Sequence, residues 1–72
     1  MPDDVRSRAE WIAAFAVLAG IEAPDDEVVD VLLELAAVAA HASERTAAPI
    51  ACWLAGRAGL SPTDALALAR QV

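Results

Sequence analysis

Residues 28–42 read VVDVLLELAAVAAHA, and the apolar arc of this stretch is too wide for a single contact. Placed on a helix at about 100° per residue, Asp26, Glu27, Asp30, Glu34, His41 and Arg45 fall in one narrow stripe. Valines, leucines and alanines fill the rest of the circumference. A helix of this kind has to be covered from several sides, so it is expected at the centre of the fold.

Working outward, Pro24-Asp25-Asp26-Glu27 places three acids in the first turn of this helix, where the macrodipole favours them. The helix is expected over about 25–43. Before it, Asp3 or Asp4 is expected to cap a helix over about 4–19, with Gly20 as its stop. The inner face of that helix reads Trp11, Ile12, Phe15, Leu18 and Ala19 at spacings of three and four, so Trp11 and Phe15 are expected to be core anchors. After the central stretch, the Thr46 hydroxyl is expected to cap a third helix over about 47–58, with Pro49 tolerated in its first turn. Ile50, Trp53 and Leu54 form its apolar face. Ala47, Ala51 and Ala55, joined by Gly56, make a column of small residues against which another helix can pack closely, and Gly59 ends it. Ser61-Pro62-Thr63-Asp64 starts a fourth helix over about 62–71, with a capping serine, a proline at the first helical position and an acid three residues after the cap. Leu68, Ala69 and Val72 give that helix one apolar side, which Leu66 widens. The expectation is an all-α fold: one domain over 1–72, a compact bundle of four helices with the second central.

Composition limits the function. The chain has 72 residues, 58% of them hydrophobic, with a net charge of −6 and no lysine. Much of the apolar fraction is alanine, yet the larger side chains still exceed what so short a chain can hide, so self-association or docking to a partner protein is expected. Without a basic patch, nucleic acid is not an expected partner, nor is an anionic membrane surface. Uncharged runs such as Trp11 to Ile21 are too short to span a bilayer, which needs about 20 residues. The acidic MPDDVRSRAE start does not look like a signal peptide, and the lone Cys52 cannot form an internal disulfide. A cytoplasmic protein is expected. Asp30 and Glu34 stand one turn apart and would offer an ion only two oxygens, where calcium takes six or more. They read as a solvated face, and neither a metal nor a cofactor is expected.

Chemically capable side chains gather only at the junction His41-Ala42-Ser43-Glu44-Arg45-Thr46-Ala47-Ala48-Pro49. One reading has His41 and Arg45 offsetting the dipole at the end of the central helix. The other has His41, Arg45 and Thr46 holding a carboxylate or phosphate at the start of the third helix. An enzyme reading would need His41 as general base for Cys52 or Ser43 with a third group orienting the ring, and the spacing shows no such arrangement. Cys52 among alanines reads as a packing residue.

Trp11-Ile12-Ala13-Ala14 leading to Leu18-Ala19-Gly20-Ile21, then Ala40-His41, Arg45, Ala47-Ala48-Pro49-Ile50 and Leu54-Ala55-Gly56, resembles a small uncharacterised helical domain of high-GC bacteria. That domain is found alone or C-terminal to molybdenum-cofactor guanylyltransferase-like proteins. The resemblance runs from about Trp11 to Ala69 and implies a helical accessory domain near molybdenum cofactor maturation. It does not imply guanylyltransferase activity, because the glycine-rich nucleotide loop of that enzyme is missing. The expected function is therefore a non-catalytic interaction domain acting through self-association or a partner protein, with Trp11 and Trp53 on the interaction surface. The alternative is a binder of a small anionic ligand at the His41–Arg45 junction.

Overall fold

The computed structural model describes residues 6–72. Within them the chain forms four α-helices and no strand: α1 over Arg8–Ala19, α2 over Asp26–Ala42, α3 over Ala47–Arg57 and α4 over Pro62–Ala69. The all-α expectation holds, and α2 is the central element, with α3 and α4 both packed along it.

The helix starts follow from local chemistry. Ser7 caps α1 through a reciprocal pair in which the Glu10 N–H donates to Ser7 Oγ at 3.1 Å and the Ser7 N–H donates to Glu10 Oε1 at 2.8 Å. Two donors that the helix cannot satisfy are thereby engaged. Asp3 and Asp4, the expected caps, lie outside the described residues. Asp25 caps α2, its Oδ1 accepting from the Val28 N–H at 2.9 Å. Ser61 caps α4, its Oγ accepting from the Asp64 N–H at 3.1 Å, with Pro62 at the first helical position. Thr46 departs from expectation: its backbone is already helical and its hydroxyl makes no capping bond. A cap residue needs extended backbone for its side chain to turn back onto the first N–H groups.

Helix ends are set by glycine at two places. Gly20 has φ 79° and Gly59 has φ 73°, the left-handed region that side chains with a Cβ avoid. Each forms the same double closure. Gly20 N–H donates to Val17 O and Ile21 N–H to Ala16 O; Gly59 N–H donates to Gly56 O and Leu60 N–H to Ala55 O. Both satisfy carbonyls at a helix C-terminus.

The core is small and built on close approach. Leu35 of α2, only 2% exposed, is surrounded by Ala55 of α3 and Ala65 and Leu66 of α4, with Val31, Leu32, Val38, Cys52, Leu60 and Ala69 packed at its margin. Of the small column of α3, Ala55 is turned into the core, while Ala47 and Ala51 are partly buried. Ile50, Trp53 and Leu54, expected as the apolar packing face, are exposed. On α4 the buried face is Ala65 and Leu66, while Leu68 is half exposed and Val72 lies in solvent. Gly56 does not add to the packing column, because a Cβ there would meet nothing within 4 Å.

Two glycines three residues apart should therefore respond oppositely to alanine. Gly56→Ala removes backbone freedom inside a helix with no clash and should stabilise by about 0.5–1 kcal/mol. Gly59→Ala forces a Cβ into the left-handed region and should destabilise by about 1–2 kcal/mol. Thermal melts of the two variants beside the parent check the signs. Leu35→Ala, which empties the centre of the core, should cost about 2–5 kcal/mol, seen as loss of the cooperative transition in circular dichroism.

Candidate functional site

The structure separates what packs from what is left over. α1 makes no packing with another helix comparable to the α2–α3 and α2–α4 contacts, and it contributes nothing to the Leu35 cluster. Its one buried residue is Ala16. Trp11 and Phe15 are 56% and 57% exposed and Leu18 is 87% exposed, with Ile21 open just beyond the helix. The expectation that Trp11 and Phe15 are core anchors is overturned: their spacing does put them on one face, but no other helix lies against it. The two rings stack on each other instead, with centroids 5.2 Å apart and planes 22° from parallel, a geometry worth about 0.5–1.5 kcal/mol.

A second apolar surface lies on α3 and beside it. Trp53 is 63% exposed and stands with Ile50 and Leu54 on the side of α3 turned from the core. Next to them is an open groove of about 540 Å³ between the C-terminal part of α2 and α3, with Ala69 and Val72 also in its lining. Val38, Ala42, Ile50, Leu54, Ala69 and Val72 supply its apolar lining. Ala55 packs α3 onto the core, Ala47 and Ala51 line the groove, and the bulkier side chains of α3 lie on the outer slope.

The junction residues are placed side by side without being joined. His41 is in the last turn of α2, Arg45 in the connection and Thr46 just before α3, all three exposed, and the side-chain hydrogen bonds of the described residues include none among them. The Ala47 N–H donates to Glu44 O at 2.9 Å and the Ala48 N–H to Arg45 O at 3.2 Å. Pro49 has no N–H to offer. An anion at this point would therefore meet side chains rather than the fan of free donors that makes a helix start an anion site. Ser43 Oγ is committed too, donating to Ala39 O at 3.0 Å.

The remaining polar features are structural. Arg70 Nη2 donates to Glu34 Oε2 at 2.7 Å, tying α2 to the end of α4, but both side chains are more than half exposed, where such pairs contribute at most about 1 kcal/mol. No group of three or more His, Cys, Asp or Glu able to hold a metal ion occurs among the described residues. Cys52 is partly buried against the core cluster. No helix among the described residues is long and apolar enough to cross a membrane. Of the expected site residues, the structure leaves Trp11 and Trp53 with the most accessible apolar surface. The signal for the α3 surface lay in Ala55, since a small residue at the core contact leaves Ile50, Trp53 and Leu54 on the opposite, outer side of the helix.

Inorganic phosphate provides a direct check on the junction. With the Ala47 and Ala48 N–H groups engaged and Pro49 offering none, millimolar phosphate should shift the melting temperature by less than about 1 °C, in the parent and in Arg45→Ala alike.

No curated protein and no solved structure matches the chain. A model of a domain of unknown function, DUF6457, matches residues 3–72. A match that runs over nearly the whole sequence settles membership, and the chain belongs to the DUF6457 family.

Proposed function

We propose that this domain is a non-catalytic interaction module that works through its uncovered apolar surface, by self-association or by docking to a partner protein. The observation that carries the reading is the excess of wet apolar side chains. Eleven large hydrophobic residues are exposed among the described residues, both tryptophans and the phenylalanine included. Scattered single residues of this kind are ordinary, but contiguous apolar ridges mark interaction sites.

The state of α1 supports the same reading. A helix of 12 residues is marginal by itself in water, and the capping box and glycine stop of α1 improve its ends without replacing tertiary contacts. A covering surface would supply what the ends do not. The non-catalytic part of the reading is supported by the surroundings of the nucleophile-capable groups: Cys52 is drawn to the core while His41 stands exposed at the end of α2. The sequence resemblance adds a setting, molybdenum cofactor maturation, in which such an accessory domain would act.

Sedimentation velocity over a micromolar to millimolar range, paired with co-purification on the tagged full chain, tests the proposal. A sedimenting mass above that of one chain, or a stoichiometric partner lost on Trp53→Glu, is expected. A monomer at every concentration that retains no partner would defeat it.

A further inference from the structure

We draw no further inference here: the strongest candidate, the open groove between the C-terminal part of α2 and α3 with the exposed Ile50, Trp53 and Leu54 beside it, is part of the apolar surface already described, and nothing in the structure shows what covers it.

Discussion

The packing of Leu35 against alanine is the contact on which the rest of the structure depends. A leucine can be almost wholly hidden in so short a chain only if neighbouring helices come close, and Ala55 and Ala65 are what let α3 and α4 approach α2. Close approach has a geometric consequence. When the smallest residues of a helix face inward, its largest are carried to the flanks, which is where Ile50, Trp53 and Leu54 of α3 are found. The same choice that makes a core from little material thus creates an apolar exterior.

Much of the fold was legible in the sequence because helix termini are encoded within four or five residues. Ser61 caps as its position implied, Asp25 caps a helix whose first turn it was expected to share, and Gly20 and Gly59 take the left-handed backbone that ends a helix. The start of α1 is encoded in Ser7-Arg8-Ala9-Glu10, whose reciprocal pair sets the cap later in the chain than the expected Asp3 or Asp4. Thr46 has the right side chain in the wrong backbone conformation. What sequence could not supply was which apolar face of each helix is chosen. Trp11 and Phe15 have core spacing, and periodicity reports only that residues share a face; whether a neighbour meets that face depends on how the chain returns from Gly20 to Asp25.

For the candidate site the situation is reversed: its residues were readable and its shape was not. Trp11 and Trp53 stand out in a chain with three aromatic residues among 72, about 4% of the total. That one belongs to a convex ridge and the other borders a groove comes only from the placement of α1 and α3. On an uninterrupted helix His41 and Arg45 would share one face. The break at Ser43 removes that register, since Arg45 falls in the connection rather than on the fourth residue after His41 of a continuing turn.

The acidic charge and the apolar exterior serve one another. Net charge keeps small domains apart at a distance of about a Debye length, roughly 8 Å at physiological salt, while apolar contact acts only when surfaces touch. On this chain the two are largely apart: the acids Asp26, Asp30 and Glu34 follow one side of α2 and the exposed aromatic residues belong to α1 and α3, with Glu44 at the lining of the groove. A uniform mixture of the two would give a surface that is sticky from every direction. Segregation makes orientation matter, because approach along the acidic stripe is repelled and approach along the aromatic ridges is not. A core that consists mainly of one leucine and its small neighbours supplies little stability to spare, so surface that can be covered in one orientation adds to the stability of the fold as well as to the choice of partner.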